Sequence, residues 1–512
     1  AGVSAASWNF HKKLIFVLVP ILVVISAPEA GCSDSDQSTS SVAINGADTV
    51  WMVVSTFLVL IMTPGLAFFY AGFVDKGNSV NVHMMSYVAL PIISIQWFLF
   101  GYSIAFAPDF GSKLIGDLRW GCFSGIDSEP NADYGRGIPQ SIHASYQMMF
   151  AVITPALASG TLVGRIRFRS YCVFLFMWTT FVYCVIAHWV WGGTGLGGPN
   201  ESLGWLRKMG VLDYGGGAVV HLSAGMSSLV GSFILGKRKN YMAPLKPHNT
   251  STILLGTALL WIGWLGFNGG NSLASDGMSG FVVLNTHLSA CGGMAVWMLL
   301  DVLYNKKPSA SQACIGAVVG LVCSTPGCAY IRPWASLLGG GVLATVSFYV
   351  IRLRTRYWLY DDVLDVFAAH GMGGWIGMIW TGLFATKDVN PLGSNGAFYG
   401  NGYLLGVQIL CCVVVSLLSV TMTAGIFYGL KYSIGLRVTE KEEDQGLDSL
   451  CHGEDAFFLT DVVSTGQGST PFVSKVANGV GDVSKAERHN SWTASASLVA
   501  TDEKYKIHPV PV

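Results

Sequence analysis

The amino-acid composition limits the class of protein before any motif is considered. Of the 512 residues, 51% are hydrophobic and only 12% are charged, whereas soluble proteins carry about 25% charged residues. The 30 Lys and Arg residues balance the 30 Asp and Glu residues. A soluble domain and a basic nucleic-acid-binding surface are therefore excluded, and no nucleic-acid partner is expected.

Charge is distributed unevenly along the chain. Residues 435–512 contain 19 charged residues in 78, which is close to the usual proportion in soluble proteins, and the other 41 are spread over residues 1–434. This distribution predicts a long membrane-embedded body followed by a polar tail. The last part of the tail, residues 457–512, is rich in Ser, Thr and Gly and is predicted to be disordered on the cytoplasmic side.

The first 30 residues have the pattern of a signal peptide. Lys12 and Lys13 precede an apolar run over residues 14–26, and the sequence Ala27-Pro-Glu-Ala30 follows. A charged region, an apolar region and a small-residue cleavage site thus occur in the expected order. We predict a signal peptide over residues 1–30, with an uncleaved anchor as the alternative, and an extracellular leader over residues 31–47.

Eleven apolar stretches follow between residues 48 and 434. About 20 helical residues span the hydrocarbon core of a bilayer, which is about 30 Å thick. The length of the eleven stretches, and the lack of alternating polarity within them, predict an all-α polytopic membrane protein rather than a β-barrel. The stretches lie near residues 48–73, 82–107, 142–163, 170–192, 214–236, 250–271, 277–302, 310–327, 333–351, 362–385 and 402–434.

The loops between these stretches differ in basic charge. One set, around residues 76, 165–169, 237–246, 306–307 and 352–356, holds 13 basic residues, and the other set holds seven. Basic loops remain in the cytosol. The mature N-terminus is therefore predicted to be outside and the C-terminal tail inside, which agrees with the signal peptide.

A short internal repeat relates two of the stretches. Asp213 precedes His221 in the fifth stretch, and Asp365 precedes His370 in the tenth. Five stretches separate the two helices, so their directions are opposite. This predicts a 5+5 inverted repeat with an eleventh helix added, and such repeats place a site at their interface near the bilayer midplane.

Two histidines within the apolar stretches are candidate pore residues. Ionisable groups at this depth usually serve a transport path or a specific partner. His221 and His370 could share a proton and line a narrow path, could ligate a haem, or could be neutral imidazoles that join helices. His188, beside Trp189 and Trp191, is instead expected to pack structurally.

Aromatic residues form the second candidate site. Tyr146 and Phe150 are one helical turn apart, Trp191 ends the fourth stretch, and Phe267 lies among small residues. Rings of this kind either form an interfacial belt or surround a small cation. Asp213, at the outer end of the fifth stretch, is either an N-terminal helix cap or a carboxylate that serves the cation.

Longer motifs resemble those of the ammonium transporter (Amt/Mep/Rh) family over residues 48–457, and are closer to the Amt/Mep branch. They include Phe150-Ala-Val-Ile-Thr-Pro-Ala, Ile186-Ala-His-Trp-Val-Trp-Gly-Gly193, Asp213-Tyr-Gly-Gly-Gly-Ala-Val-Val-His221, Ile262-Gly-Trp-Leu-Gly-Phe-Asn268, Asp361-Asp-Val-Leu-Asp-Val-Phe367 and His370-Gly-Met-Gly-Gly374. The tail begins with Gly435-Leu-Arg-Val and continues through Gly446-Leu-Asp to His452-Gly-Glu454.

The resemblance implies roles for individual residues. It places Trp191, Tyr146 and Phe150 in an outer cation site supported by Asp213, assigns Phe150 and Phe267 to a hydrophobic gate, and pairs His221 with His370 in the pore. It also implies a homotrimer in the plasma membrane, with a membrane domain over residues 48–434 and one pore in each protomer. Residues 435–456 would be a cytoplasmic coupling segment, and no cofactor, metal or catalytic residue is implied.

Three positions depart from the family pattern. Bacterial relatives have Phe where this chain has Tyr146, and have a cation-binding Ser where an ungapped count reaches Asn271, which Ser272 follows. We assign Asn271 to the substrate site. In the coupling segment, Leu450 occupies the position of a regulatory threonine of some plant relatives, so that mode of control is not expected here.

These features predict transport of ammonium rather than catalysis. The outer site would recruit ammonium and remove a proton, and ammonia would cross the gate and the histidine-lined pore. Separate transfer of the proton would make transport electrogenic, whereas its return to the outside would make a neutral gas channel. An ammonium sensor remains the other alternative. No convincing set of residues for an intramembrane hydrolase is present.

Overall fold

The computed structural model describes residues 43–110, 114–131, 133–135, 137–193, 203–241, 247–357 and 359–456. The predicted signal peptide, most of the predicted leader and the tail from residue 457 onwards lie outside the described residues. The regular secondary structure of the described residues is helical. Within these residues, β-type pairing is limited to three isolated bridges, which do not form strands. The predicted all-helical class is confirmed for this part of the chain.

Eight helices among the described residues are long and apolar enough to cross a membrane. The eight are α1 (Gly46–Phe73), α2 (Lys76–Phe106), α5 (Phe168–Trp191), α6 (Gly217–Leu235), α7 (Thr250–Ser272), α8 (Gly277–Asn305), α10 (Pro333–Tyr357) and α12 (Gly402–Ser433). Three of them, α5, α6 and α7, carry candidate site residues.

The other three predicted stretches form shorter or interrupted helices. The third stretch is divided into α3 (Gln140–Ala156) and α4 (Ser159–Leu162), and the eighth is α9 (Ala310–Ser324), which has only 15 residues. The tenth, α11, joins Phe367–Gly371 to Met372–Phe384. Prolines explain two of these changes, because Pro155 in the last turn of α3 and Pro326 just after α9 cannot donate a backbone hydrogen bond.

Small residues allow the helices to approach closely. At Gly256 of α7, an added Cβ would lie 2.2 Å from the backbone nitrogen of Phe69 in α1. No side chain larger than hydrogen fits between two backbones at this distance. Close packing of this kind is typical of helices in lipid. The hydrophobic effect does not drive helices together there, because the lipid tails are as apolar as the side chains.

The segment after α12 folds back on one end of the helix bundle, which we call the tail end. The backbone nitrogen of Arg167 donates to Leu436, and that of Val438 donates to Arg165, at 2.9 and 2.8 Å. Two short helices follow, α13 (Glu440–Gln445) and α14 (Leu447–His452). The Asp448 carboxylate of α14 accepts from the backbone nitrogens of Val80 and Asn81 at 3.0 and 2.7 Å. The tail as far as α14 is thus bound to the bundle by specific contacts.

Candidate functional site

Three aromatic rings meet where α3 approaches the end of α5. The ring centroids of Tyr146 and Phe150 are 5.0 Å apart, and that of Trp191 lies 5.9 Å from Phe150 with the two planes at 85°. Tyr146 and Phe150 point the same way because they are one turn apart on α3. The three predicted rings therefore form one cluster, with the partly exposed Trp191 at its edge.

A fourth ring packs against this cluster. Phe267 of α7 stacks on Phe150 with the centroids 4.1 Å apart and the planes inclined by 19°. Both side chains are fully buried. Stacked rings fill the space between α3 and α7 with apolar surface, so an ion or molecule passing this point would have to displace at least one of them.

The indole of Trp191 is held by the chain segment that precedes α6. Its Nε1 donates to the backbone carbonyl of Asp213 at 2.8 Å. The neighbouring Leu212 is clamped by Gln408 of α12, which accepts from its backbone nitrogen at 3.0 Å and donates to its carbonyl at 2.7 Å. Our interpretation of the sequence missed Gln408. Its signal in the sequence was an amide side chain within a long apolar stretch, and the structure shows this side chain to be fully buried.

The Asp213 carboxylate caps the helix that carries His221. Its two oxygens accept from the backbone nitrogens of four residues at 2.5–3.1 Å, namely Gly216, Gly217, Ala218 and Val219. These are N–H groups at the start of α6 that have no partner within the helix. Of the two roles left open by the sequence, this geometry is that of an N-terminal cap.

His221 and His370 are in direct contact. Their Nδ1 atoms are 3.2 Å apart, and their ring centroids are 5.2 Å apart. Both residues lie in π-helical turns, Gly217–Leu222 and Phe367–Gly371. Such turns are uncommon and occur frequently at functional sites.

A close crossing of α6 and α11 brings the two histidines together. At Gly225, one turn after His221, an added Cβ would lie 2.0 Å from the backbone nitrogen of Gly371. The two backbones therefore touch at this point. Because each histidine is adjacent to the crossing, the two imidazole side chains are brought into contact.

Hydrogen-bonding groups and one further ring surround the His221 imidazole. Its Nε2 lies 3.3 Å from the Thr325 hydroxyl, which is 3.0 Å from the Leu321 carbonyl and accepts from the Trp264 indole at 3.0 Å. A neutral imidazole has one donor nitrogen and one acceptor nitrogen, so in the 3.2 Å contact one histidine donates through Nδ1 and the other accepts. Trp264 stacks on the other side of the His221 ring, with the centroids 5.2 Å apart.

Two cavities adjoin the histidine pair. The first, of about 20 Å³, is lined by apolar side chains together with Phe267, His221 and His370. A cavity needs roughly 10–15 Å³ to hold one water molecule, so this cavity accommodates one small molecule at a time. The second, of about 130 Å³, also contacts His370 and includes Asp365 and Gln312 among its lining residues.

The facing nitrogens of the pair leave no room for a haem iron between them. Iron bound between the two Nδ1 atoms would separate them by roughly 4 Å, since metal–imidazole bonds are about 2.0 Å long. The observed 3.2 Å between the Nδ1 atoms is too short. No group of three or more His, Cys, Asp or Glu side chains in the described residues is arranged to hold a metal ion.

Asn271, assigned to the substrate site from the sequence, lies at the end of α7. Its Nδ2 donates to the backbone carbonyls of Phe267 and Asn268 at 2.6 and 3.2 Å. The Tyr146 hydroxyl is also bonded to the Phe267 carbonyl, at 2.9 Å. Both departures from the family pattern thus support the backbone of Phe267. The Ser272 hydroxyl bonds to Ala274 and Ser279 at 2.8 and 2.6 Å.

Comparison with known proteins identifies the family of this chain. The sequence profile described as the Ammonium Transporter Family matches residues 50–457. The chain belongs to the ammonium transporter family. It is therefore an integral membrane helical protein of a transport family rather than an enzyme, as the sequence predicted.

Individual relatives support the same assignment. The chain is 42% identical over 410 residues to an ammonium transporter of Bacillus subtilis, a match that covers 80% of this chain and 98% of the relative. It is 37% identical over 426 residues to ammonium transporter 1 of Schizosaccharomyces pombe, covering 81% of this chain and 83% of the relative.

Solved structures of the ammonium transporter family have the same fold. The crystal structure of Candida albicans Mep2 aligns with a TM-score of 0.72 and 34% identity, covering 78% of this chain and 88% of that chain. A structure called Sensor Amt Protein aligns with the same TM-score at 24% identity, over 79% of this chain and 98% of that one. At that identity the similarity establishes the fold alone.

His188 lies in a different environment from the histidine pair. It is fully buried, and its Nδ1 and Nε2 are 3.2 Å from the Ala105 carbonyl and 3.0 Å from the Asp109 carboxylate. These contacts fasten the chain that follows α2 to α5, one turn before Trp191. His188 is thus a structural anchor next to the outer rings of this ammonium transporter family member.

Proposed function

We propose that this protein is a transmembrane ammonium transporter that binds ammonium at the outer rings, removes a proton and conducts ammonia past the histidine pair. The observation that carries the proposal is the order of parts: a ring cluster, a stacked Phe pair, and two histidines 3.2 Å apart beside a cavity of about 20 Å³. Such a path suits a small neutral molecule and opposes a hydrated ion.

The proposed topology has eleven membrane crossings. These are the eight long helices, α3 continued by α4, α9, and α11, and the first ten form two inverted repeats of five. The positions of His221 and His370 in matching π-helical turns support the repeat. The larger number of basic residues in one set of loops supports a cytosolic tail end and an extracellular N-terminus. Plasma-membrane localisation and a cleaved signal peptide belong to the same proposal.

The outer site selects a small cation through its rings. A desolvated cation over an aromatic face gains about 2 kcal/mol or more. The ring of Phe150 lies between those of Tyr146 and Trp191 in the cluster, with centroid distances of 5.0 and 5.9 Å. Potassium has a similar size and charge, but it cannot donate hydrogen bonds or lose a proton. Discrimination between the two cations therefore depends on deprotonation before the gate.

The gate and the pore impose a high cost on ions. An ion at bilayer depth costs at least about 2.5–3.5 kcal/mol, and more in a dry cavity without partners. Ammonia has no such cost and fits the small cavity. The Nδ1 contact between the two imidazoles provides a route by which a proton could be passed separately. We therefore propose electrogenic transport, with the neutral ammonia channel as the alternative.

The test uses full-length protein in liposomes and an abrupt rise in external ammonium. We expect a current together with ammonium uptake, and no current with potassium. Internal alkalinisation without current would support the neutral channel, because ammonia that enters without its proton takes up a proton inside. The absence of current, uptake and alkalinisation would reject transport. A homotrimer, which the family resemblance implies, is tested on the same sample by native mass spectrometry.

Replacing His370 by Asp tests the role of the pair. An acidic side chain would make this part of the pore polar and would allow hydrated cations to enter. We therefore expect potassium currents in His370→Asp that the parent protein lacks. His287→Gln, on the neighbouring helix α8, is the control because its ring contacts Trp261 rather than the pair. Unchanged exclusion of potassium in His370→Asp would contradict a selectivity role.

An ammonium sensor is the second candidate, and the bound tail supports it. Residues 435–452 contact three helices of the bundle, namely α2, α5 and α6, so a change in the bundle could be transmitted to the tail. Growth of a transport-deficient host on limiting ammonium separates the two functions. Growth supports transport, whereas binding without growth or flux supports a sensor.

A further inference from the structure

The end of α5, where Trp191 lies, is supported by a part of the chain that the proposed function does not use. This part, which we call the α2–α3 connection, comprises residues 107–139 between those two helices. It makes three polar contacts with the end of α5, namely Asp109 with His188 at 3.0 Å, Leu114 with Trp189 at 2.8 Å and Tyr134 with Gly193 at 2.7 Å. The contacts lie on both sides of Trp191 in the sequence, so the backbone of this residue depends on the α2–α3 connection for its position.

Tyr134 makes the contact that lies just beyond the helix. α5 ends at Trp191, and the following Gly192 donates back to the His188 carbonyl at 3.1 Å. At Gly193 the chain leaves the helix, with a φ of +67° that glycine adopts without strain. The backbone nitrogen of Gly193 donates to the Tyr134 hydroxyl rather than to a carbonyl of α5. The phenol oxygen therefore holds the chain two residues after Trp191.

Tyr134 also packs against the helix that carries the other two rings of the cluster. Its side chain is 4% exposed and stacks on the His143 ring, with the centroids 5.1 Å apart and the planes inclined by 29°. His143 lies on α3 one turn before Tyr146, and residues three apart share a face of a helix. Tyr134 thus contacts both sides of the ring cluster, α3 through its ring and the chain after α5 through its hydroxyl.

We infer that Tyr134 is a positioning residue that fixes Trp191 in the ring cluster and thereby sets the affinity of the outer site for ammonium. An aromatic ring attracts a cation within about 6 Å of its centroid, so the attraction depends on where the indole lies. The Asp213 carbonyl holds the indole itself, through Nε1 at 2.8 Å. Without the Tyr134 hydroxyl, the backbone of Trp191 could shift about this hydrogen bond. The consequence for ammonium rests on the proposed function.

The effect on binding should be separable from any effect on conduction. The stacked rings of Phe150 and Phe267 join α3 to α7, and the contact between His221 and His370 joins α6 to α11. Neither pair includes the end of α5. A displaced Trp191 would therefore weaken the recruitment of ammonium, while ammonia would still cross the gate and the pore at the same maximal rate.

Hydrogen exchange of the full-length protein, followed by mass spectrometry, tests the contact itself. Tyr134→Phe keeps the ring and removes the acceptor, so exchange in residues 189–193 should rise several-fold. Tyr102→Phe is the matched control, because the buried Tyr102 hydroxyl lies 3.0 Å from Nδ1 of His143 and its loss removes a different contact of the same aromatic cluster. Unchanged exchange in Tyr134→Phe, or an equal rise in Tyr102→Phe, would overturn the inference.

Ammonium uptake by the same variants in liposomes tests the effect on affinity. For Tyr134→Phe we expect the half-saturating concentration of ammonium to rise several-fold with the maximal flux unchanged, because binding is weakened and the later steps are not. Tyr102→Phe should leave the half-saturating concentration as it is in the parent protein. A lower maximal flux with an unchanged half-saturating concentration in Tyr134→Phe would indicate a merely structural role and would overturn the inference.

A double variant shows whether Tyr134 acts through Trp191. In a Trp191→Leu background, Tyr134→Phe should raise the half-saturating concentration no further, because the ring that it positions is gone. A further rise as large as that in the parent background would contradict the inference. If the parent protein carries no flux, the proposed function fails, while the exchange data still decide whether Tyr134 holds the chain after Trp191.

Discussion

Asp213 connects the aromatic ring cluster to the helix that carries His221, through its backbone and its side chain. Its carbonyl accepts from the Trp191 indole at 2.8 Å, while its carboxylate accepts hydrogen bonds from four N–H groups at the start of α6. A single residue thus fixes the orientation of the Trp191 ring and the N-terminus of α6.

Replacement of Asp213 by Ala should therefore affect both stability and transport. Loss of an N-terminal cap costs about 1–2 kcal/mol, and the first turn of α6 would become less well placed below the gate. We expect a lower unfolding temperature in detergent and a strong loss of ammonium flux in liposomes.

Asn45→Ala is the matched control for the cap. Asn45 caps α1 by accepting from the backbone nitrogens of Ala47 and Asp48 at 2.9 and 3.2 Å, and it lies on the exposed surface. A comparable loss of stability with normal flux is expected in this variant. If Asp213→Ala retained full flux, the link between this cap and the pore would be refuted.

At the scale of helices, the contact between α6 and α11 determines the distance between the histidines. Gly225 and Gly371 allow their backbones to touch, and the π-helical turns on both helices turn the imidazoles towards each other. Neither feature involves a polar interaction that a pattern of residue types would reveal.

Gly225→Ala should separate these two helices. The new Cβ would lie 2.0 Å from the Gly371 nitrogen, and overpacking of this kind costs about 1–3 kcal/mol. We expect reduced thermal stability and loss of flux in liposomes. Gly280→Ala on α8 is the control, because an added Cβ there meets nothing within 4 Å. Normal flux in Gly225→Ala would show that the close crossing is not required.

At the scale of the whole molecule, the tail binds the bundle through groups that titrate. Asn81 of α2 donates through its Nδ2 to Nε2 of His452 at 3.1 Å, and the His452 ring packs edge-on against Phe168 of α5. This hydrogen bond requires an unprotonated Nε2. Partial burial lowers the pKa of His452 below its ordinary value of 6.5, although Asp448 and Glu454 oppose the shift.

Binding of the tail should consequently weaken on acidification. A histidine whose pKa is lower in the bound state stabilises that state above its ordinary pKa, and the contribution is lost as the pH falls through the lowered value. Hydrogen exchange of residues 447–452 should increase as the pH falls below about 6.5, after correction for intrinsic rates. His452→Gln should remove this dependence, and tighter binding at low pH in the parent protein would contradict it.

The membrane domain could be predicted from the sequence to a large extent. The stretch predicted over residues 402–434 corresponds to Gly402–Ser433, and that over 48–73 to Gly46–Phe73. Such segments are readable because lipid demands a minimum apolar length. The stretch over residues 310–327 was predicted too long, since regular helix ends at Ser324, before Pro326. Helix ends depend on single residues and local contacts.

The candidate site was predicted by residue type but not by contact. The sequence indicated the rings and the histidines, because aromatic and ionisable groups stand out in apolar helices. It did not indicate that Asn271 binds the Phe267 carbonyl or that Gln408 clamps Leu212. Both contacts join residues through backbone groups, which every residue possesses and which therefore leave no pattern.

The sequence by itself determined that the chain spans a membrane, which stretches are apolar and which polar residues lie among them. These properties follow from the cost of burying charge and from the thickness of the bilayer, and both act on each segment separately. Only the tertiary structure decided that Nδ1 of His221 meets Nδ1 of His370 and that Arg437 reaches the end of α6. The two residues of each contact are far apart in the sequence, by 149 and 202 positions. Packing of the helices joins them, and packing depends on the shape of all the neighbours at once.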